Sequence, residues 1–347
     1  MIPVKNVYYM LSYAFRILNE QGFKSIETEE FNNVGDLCAA ILSKGMNMQL
    51  KRGLCREYIP KVEELICPKG KIEINTSIKE LAMFRGHLVC SYDDFSVDSY
   101  FNKIIKSTLL ILLKEDISSS RKKEIKKILI LLSNIGTIDL NNIDWRIQYN
   151  RNNQTYRMLI SICYLVVKGL LQTKSDGSTK LMDFLDDQQM HHLYEKFILE
   201  YYRKEHPSIN ANASQIPWQL DDGYKEFLPV MQSDIMLSYK ERTLIIDAKY
   251  YSHSLQKQFD TQTIHSGNIY QIYTYVKNKD GELKSTKHEP VAGMLLYAQT
   301  ADEGFIDQEY KMSGNTICVK TLDLGSDFQT IRTQLDEIVQ KHLCIKS

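Results

Sequence analysis

Two aspartates and a lysine, Asp234, Asp247 and Lys249, lie in a short segment whose pattern predicts a β-hairpin. Residues 235–239 and 243–248 are rich in β-branched, aromatic and other apolar residues, and a charged Lys-Glu-Arg triplet separates them. Each aspartate stands six residues from a turn centred on residues 240 and 241, so the two become cross-strand neighbours, with Cβ atoms roughly 4.5 to 5.5 Å apart. Lys249 follows Asp247 by two positions and therefore projects from the same face of its strand.

Two neighbouring carboxylates favour a bound divalent cation. Each raises the pKa of the other unless a cation or a hydrogen-bond donor offsets the repulsion. Mg²⁺ prefers oxygen ligands and keeps several waters, so Asp234, Asp247 and the main-chain carbonyl of Ala248 form an adequate predicted ligand set. Such an ion can polarise a phosphoryl oxygen and lower the pKa of a water, while Lys249 could position that water or stabilise negative charge.

The competing interpretation is a solvated ion pair, because most Asp-x-Lys elements at strand ends lie on an exposed face. The apolar run at residues 244–246 is typical of a buried central strand. That run, together with a second aspartate at the matching register, favours a functional site.

Residues on both sides of the hairpin extend the candidate site. Upstream, residues 191–205 have apolar side chains at helical spacing and predict an amphipathic helix that carries Glu195, which could reach a metal or face water. Downstream, residues 267–279 predict a helix that places Gln271 and Tyr275 one turn apart on one face. Core packing is the alternative role for Tyr275.

The order Asp234, then Asp-Ala-Lys at 247–249, then Gln271-x-x-x-Tyr275, resembles the RecB-like branch of the PD-(D/E)xK nuclease superfamily. Ser233 stands where the superfamily name has proline, which is not a metal ligand. Residues 2–15, 70–79 and 101–109 extend the resemblance to the McrC subunit family of McrBC-type modification-dependent restriction systems. The resemblance implies a Mg²⁺-dependent endonuclease in which Asp234 and Asp247 bind the metal and Lys249 assists the attacking water. Gln271 and Tyr275 would support the site or contact the DNA strand, and Glu195 would orient a metal-bound water.

The same resemblance implies two partners. One is a hexameric AAA+ GTPase similar to McrB, which would bind the GTP and recognise methylated cytosine; the other is double-stranded DNA, cut by paired copies of the complex. This chain has no P-loop motif of its own, because Ile72 follows Gly70-Lys71 and Leu65 stands at the first glycine position. Two alternatives are a non-catalytic adaptor that activates the GTPase and a free-standing RecB-like repair nuclease.

Composition limits the class of protein. Lys+Arg and Asp+Glu both number 43, so contacts with DNA must come from local patches. The seven cysteines include no CxxC pair, which argues against a disulfide framework and a zinc ribbon. No leader pattern begins the sequence, and its apolar runs are too short to cross a bilayer, so the expected location is the cytoplasm without membrane contact.

The predicted fold class is mixed α/β. Residues 180–347 form a restriction-endonuclease-like core, a mixed sheet flanked by helices, which includes strands at 291–298 and 316–322 and a final helix at 327–343. Residues 1–175 are predicted to form an α+β domain with a β-rich part at about 54–95, and the McrC resemblance implies that this domain docks to the GTPase. A polar linker at 173–179 separates the two, and Asn6 is the predicted cap of the first helix. Basic side chains at a helix-to-strand transition, Lys51, Arg52 and Arg56, are candidates for contact with a partner or with phosphates.

Overall fold

A computed structural model of the chain describes residues 2–15, 18, 23, 26, 28–149, 154–173, 187–250, 255–258, 261–284, 288–299 and 305–344. Its helices are α1 (Val4–Ala14), α2 (Val34–Arg52), α3 (Ile74–Lys79), α4 (Tyr100–Leu112), α5 (Ser119–Leu131), α6 (Gln154–Thr173), α7 (Asp187–Glu205), α8 (Ser266–Leu283) and α9 (Phe328–Leu343), with 3₁₀ turns at Ala82–Arg85 and Leu140–Asn142. Its strands are β1 (Glu57–Leu65), β2 (Lys71–Ile72), β3 (Leu88–Ser96), β4 (Asn210–Asn212), β5 (Gln215–Ile216), β6 (Met231–Gln232), β7 (Ile235–Tyr239), β8 (Arg242–Lys249), β9 (Leu255–Gln258), β10 (Thr261–Ile264), β11 (Ala292–Gln299), β12 (Asp307–Met312) and β13 (Asn315–Asp323).

The chain divides into two compact units. The sheet unit consists of Met1–Glu20 and Leu185–Ser347, and the inserted unit consists of Gln21–Phe184. The sequence-based division keeps residues 1–175 together, whereas in the structure the first 20 residues group with the C-terminal part of the chain. The linker predicted at 173–179 lies, from residue 174 onward, outside the described residues.

Specific contacts of α1 explain this grouping. The Asn6 side chain is buried and donates hydrogen bonds of 2.8 Å to the main-chain carbonyls of Leu324 and Ser326. The ring of Tyr9 stacks on Phe328 at 4.3 Å between centroids. The prediction that Asn6 caps the first helix is therefore wrong, since α1 begins at Val4 and the Asn6 amide binds a neighbouring loop instead.

The sheet unit is a mixed α/β structure, as the sequence predicts. Its six-stranded sheet has the order β12-β13-β11-β8-β7-β4, in which β11 runs parallel to both β8 and β13 and the other neighbours are antiparallel. Helix α8 covers one face, where Ile272 and Val276 pack with Ile245 and Leu295. Helix α9 covers the other face and contacts α7, since the Tyr202 hydroxyl donates to the carbonyl of Leu335. Strand β8 is thus buried on both sides.

The inserted unit combines helices with a small sheet. Helices α2, α4, α5 and α6 pack around buried apolar side chains such as Ile41, Ile104 and Leu159. Strands β1, β3 and β2 form an antiparallel sheet in that order, in the segment for which the sequence predicts strands. In the part of the chain that is described, no helix is both long enough and apolar enough to span a membrane.

Candidate active site

The β7–β8 hairpin sets the position of the two aspartates. Ile235 pairs with Ile246 and Tyr239 pairs with Arg242, so the turn consists of Lys240 and Glu241, and this register is the predicted one. Lys240 adopts a left-handed conformation with φ of 53°, which closes the two-residue turn. One further step along the same register places Asp234 opposite Asp247.

Asp234 lies just before β7 and is tied to the opposite strand. Its Oδ2 atom accepts a 3.0 Å hydrogen bond from the main-chain N–H of Ala248. Because the N–H and C=O of one strand residue point toward the same neighbouring strand, the main chain of Ala248 faces the side on which Asp234 lies. The structure thus brings the main chain of Ala248 to Asp234, and its role as a metal ligand stays a prediction.

Asp247 and Lys249 form a buried ion pair. Asp247 is 1% exposed and Lys249 is 7% exposed. The Nζ atom of Lys249 lies 2.8 Å from Oδ2 of Asp247. The contact is an ion pair instead of an aligned hydrogen bond, and neither oxygen of Asp247 has a hydrogen-bond donor among the described residues. A buried carboxylate without donors is unusual, since burial without hydrogen bonds disfavours its charge.

Helix α8 supplies the groups that hold Lys249. The Lys249 ammonium donates to Oε1 of Gln271 at 3.3 Å, and Nε2 of Gln271 donates to the Tyr275 hydroxyl at 3.0 Å. Tyr275 also packs against the apolar core of the sheet unit, which is the alternative role considered for it, while its part in the site stays a prediction. The structure therefore brings together four of the predicted residues, in the order Asp247, Lys249, Gln271 and Tyr275.

Helix α7 adds a carboxylate and two histidines. His191 Nδ1 lies 2.9 Å from Oε1 of Glu195, and His192 Nδ1 lies 3.4 Å from Oε2 of the same side chain. The pairing with Glu195 raises the pKa of His191, and the nearby charge of Lys249 opposes that shift. Burial alone would raise the pKa of Glu195, but the two histidines outweigh burial and lower it. Sequence reasoning missed His191, although its position four residues before Glu195 placed it on the same helix face.

Charge repulsion is strongest at Asp234. Burial, followed by the negative charges of Asp247 and Glu195, raises the pKa of Asp234 from 3.8 to about 8, and Lys249 only partly opposes the shift. Three carboxylates and one buried lysine therefore act on one another here. Excess negative charge in a partly buried place is what a divalent cation would neutralise.

The residues present fit a magnesium ion with few protein ligands. Mg²⁺ prefers hard oxygen ligands and retains several waters. The Asp247 oxygens accept no hydrogen bond from the described residues, and Asp234 is repelled by neighbouring negative charges, so both carboxylates are suitable ligands. Within the described residues, no group of three or more His, Cys, Asp or Glu side chains is arranged to hold a metal ion. The candidate site is therefore a pair of carboxylates with main-chain support, not a closed cage of side chains.

The predicted contact residues Lys51, Arg52 and Arg56 lie in the inserted unit, in a separate region of the chain. Lys51 and Arg52 form the last turn of α2, and all three side chains are exposed. The Arg56 guanidinium lies 5.7 Å from the centroid of the Phe95 ring. Their exposure is compatible with contact to a partner.

Comparisons with known proteins agree on one family. Residues 4–298 match the family described as McrBC 5-methylcytosine restriction system component. The chain is 32% identical to the type IV methyl-directed restriction enzyme EcoKMcrBC of Escherichia coli strain K12, over 99% of this chain and 98% of that protein. Its fold is similar to that of a chain in a half-complex from the tetradecameric assembly of Thermococcus gammatolerans McrB AAA+ hexamers with bound McrC, with a TM-score of 0.53 and 17% identity over 97% of this chain and 76% of the other. This chain therefore belongs to the McrBC 5-methylcytosine restriction system component family.

Proposed function

We propose that this chain is the DNA-cleaving subunit of a modification-dependent restriction complex. It would hydrolyse phosphodiester bonds of double-stranded DNA containing methylated cytosine, with Mg²⁺ as cofactor, through a core of the PD-(D/E)xK type. The observation that carries the proposal is the meeting of Asp234 and Asp247 at one hairpin end, with Lys249 2.8 Å from Asp247. Family membership supplies the restriction context.

Asp234 and Asp247 would hold the magnesium ion, with the main-chain carbonyl of Ala248 as a further oxygen ligand. When bound, the ion would polarise a phosphoryl oxygen and lower the pKa of a water. Binding at this pair also offsets the repulsion that raises the pKa of Asp234.

Lys249 would act on the scissile phosphate or on the attacking water. Its Nζ atom is fixed between Asp247 and Gln271, and Tyr275 in turn orients Gln271. A lysine that is ion-paired with a buried carboxylate can hold an attacking water in place or stabilise charge that develops on the phosphate. Gln271 and Tyr275 therefore position Lys249 in this proposal, and Glu195 would orient a metal-bound water.

Substitution within the carboxylate and lysine set tests the proposal. In complex with the partner GTPase, Asp247→Ala and Lys249→Met are expected to lower the cleavage rate of methylated duplex DNA roughly 100-fold or more. GTP hydrolysis should continue, because a separate part of the chain serves the partner. The measurement is plasmid cleavage beside phosphate release from GTP.

Two control variants make the same kinds of substitution, aspartate to alanine and lysine to methionine, elsewhere in the sheet unit. Asp323→Ala removes an aspartate at the end of β13, and Lys277→Met removes a lysine of α8 that donates to Ser313 and Asn315. Both should cleave at close to the unmodified rate. Normal cutting by Asp247→Ala would leave the chain as a non-catalytic adaptor, and cutting by the isolated chain without GTP would indicate a free-standing nuclease.

We further propose that the partner is an AAA+ GTPase similar to McrB and that the inserted unit binds it. The assembly named in the solved structure, McrB AAA+ hexamers with bound McrC, supports the choice of partner. The inserted unit has a surface suited to binding, the ribbon cap, which comprises residues 66–87 between the paired strand ends Leu65 and Leu88. Several apolar side chains of the ribbon cap are more than half exposed: Ile66, Ile74, Ile78, Leu81, Met83 and Phe84. Clustered exposed apolar residues of this kind mark protein interaction sites.

A further inference from the structure

Helix α1 lies along α7 in the sheet unit, although the whole inserted unit separates them in the sequence. The ring of Tyr13 packs against Phe197 and Tyr201 of α7, at 5.7 and 5.4 Å between centroids. The Tyr13 hydroxyl donates a 2.8 Å hydrogen bond to Oε1 of Glu205. The two helices are therefore joined along several turns.

The contact closest to the candidate site joins Phe15 to Lys196. The Nζ atom of Lys196 lies 3.8 Å from the centroid of the Phe15 ring, within the range of a cation–π interaction. Lys196 directly follows Glu195, and consecutive side chains of an α-helix diverge by about 100°. One turn of α7 thus presents Lys196 to α1 while the charge of Glu195 acts on Asp234.

Phe15 also lies where α1 ends, five residues before this segment of the sheet unit ends at Glu20. It is the C-terminal cap of α1, and the inserted unit begins at Gln21 and ends at Phe184, immediately before α7. In the sequence, the inserted unit thus lies between Phe15 and the helix that carries His191 and Glu195. Asn6 and Tyr9 hold α1 against the end of the sheet unit, so the Phe15–Lys196 contact ties α7 to a helix that is itself fixed.

We propose that Phe15 and Lys196 are positioning residues whose contact holds the N-terminal half of α7 so that His191 and Glu195 stay beside the aspartates and Lys249. This inference rests on the proposed nuclease function and deepens it. The substrate-contacting groups remain those of the candidate site.

The test compares two lysines of α7. Each lies over an aromatic ring, one at the C-terminal cap of α1 and the other within α1. Lys196→Met removes the cation but keeps an apolar side chain of similar length. Its matched control is Lys204→Met, because Lys204 Nζ lies 4.6 Å from the Tyr13 ring at the far end of the same helix pair. In the GTPase complex, Lys196→Met should lower the DNA cleavage rate roughly 10- to 100-fold, as expected for a displaced site group. Lys204→Met should cleave as the unmodified complex does, and both should stimulate GTP hydrolysis equally.

A second readout does not depend on metal or DNA. In the metal-free chain, Lys196→Met should lower the pKa of His191, followed by NMR of the imidazole, because its Glu195 partner is displaced. Lys196→Arg retains a cation over the ring and should restore both cleavage and the His191 titration.

The inference is overturned if Lys196→Met cleaves normally while Asp247→Ala is inactive, or if Lys196→Arg fails to restore cleavage. It is also overturned if Lys204→Met loses as much cleavage as Lys196→Met, since the effect would then be one of general helix packing. Normal cleavage by Asp247→Ala would instead refute the nuclease function itself.

Discussion

Asp234 is held where its charge is disfavoured. Burial and the neighbouring Asp247 and Glu195 raise its pKa, so the folded metal-free chain carries a cost whenever Asp234 is ionised. Functional sites often keep such a cost because a ligand later offsets it. We therefore expect the aspartate pair to bind a cation and to lower the stability of the fold when no cation is bound.

Replacement of this carboxylate should therefore stabilise the metal-free chain. Folding raises the pKa of Asp234 from 3.8 to about 8, so this carboxyl loses its proton at lower pH in the unfolded chain than in the folded chain. The free energy of unfolding therefore falls as the pH rises from about 4 to 8. At pH 8, Asp234→Asn should raise the free energy of unfolding on the order of 1 kcal/mol, once partial hydration of the side chain is allowed for. Denaturant unfolding in EDTA at pH 5 and pH 8 measures the difference.

Magnesium provides the control for this prediction. Addition of millimolar Mg²⁺ should stabilise the unmodified chain, because a ligand that binds only the folded state shifts the folding equilibrium. The same addition should leave Asp234→Asn unchanged. A less stable Asp234→Asn variant in EDTA at pH 8 would show that the repulsion at this site is already balanced.

Much of the candidate site could be predicted from residue spacing. The period of two along a strand and the centred turn place Asp234, Asp247 and Lys249 together, and the helical period places Gln271 beside Tyr275. The hydrogen bond between Lys249 and Gln271 was not predictable, because spacing within each element does not fix how α8 crosses the sheet. Nor did any spacing indicate that Asp247 lacks donors, which depends on the packing around it.

At the scale of elements, the apolar patterns predicted most of the core strands and helices. The final helix predicted at 327–343 is α9 (Phe328–Leu343), and the strand predicted at 291–298 is β11 (Ala292–Gln299). Strand β12 was not predicted, since it is an exposed edge strand of polar residues without alternation. The sequence also did not predict that α1 belongs to the sheet unit. Its periodicity shows that one face is buried but does not show which surface covers that face.

The ribbon cap is the part of the inserted unit that we propose binds the partner GTPase. Phe84 is 89% exposed, and an aromatic side chain at the centre of an interface commonly contributes a large share of binding energy. Phe84→Asp should therefore lower stimulation of the partner GTPase roughly 10-fold or more, measured as phosphate release at a fixed chain concentration. Cleavage should fall in parallel, because the complex no longer assembles.

An equally exposed aromatic of the sheet unit is the matched control. Phe227 is 93% exposed, and Phe227→Asp introduces the same charge into the other unit. GTPase stimulation by Phe227→Asp should remain close to that of the unmodified chain. Equal losses in both variants would remove the ribbon cap as the specific docking surface.

At the scale of the whole molecule, charge alone does not recruit DNA. Positive and negative side chains are equal in number, so long-range attraction to a phosphate backbone is weak and delivery must depend on local patches or on the partner. This balance agrees with the proposed division of labour, in which a GTPase brings the duplex and the sheet unit cuts it.

Cutting both strands requires two copies of the chain if each copy contributes a single aspartate pair. The two strands of a duplex are antiparallel, so two identical sites related by a twofold axis would each meet one scissile phosphate in the same orientation.

When unmodified complex is mixed with an excess of the Asp247→Ala complex, most active copies should be paired with an inactive one. Supercoiled plasmid should then accumulate as nicked circles. In the control, unmodified complex mixed with the same excess of Asp323→Ala complex, which is itself active, should produce linear DNA. Linear product at an undiminished rate in the Asp247→Ala mixture, resolved by agarose electrophoresis over time, would contradict pairing, because one intact copy would then be able to cut both strands.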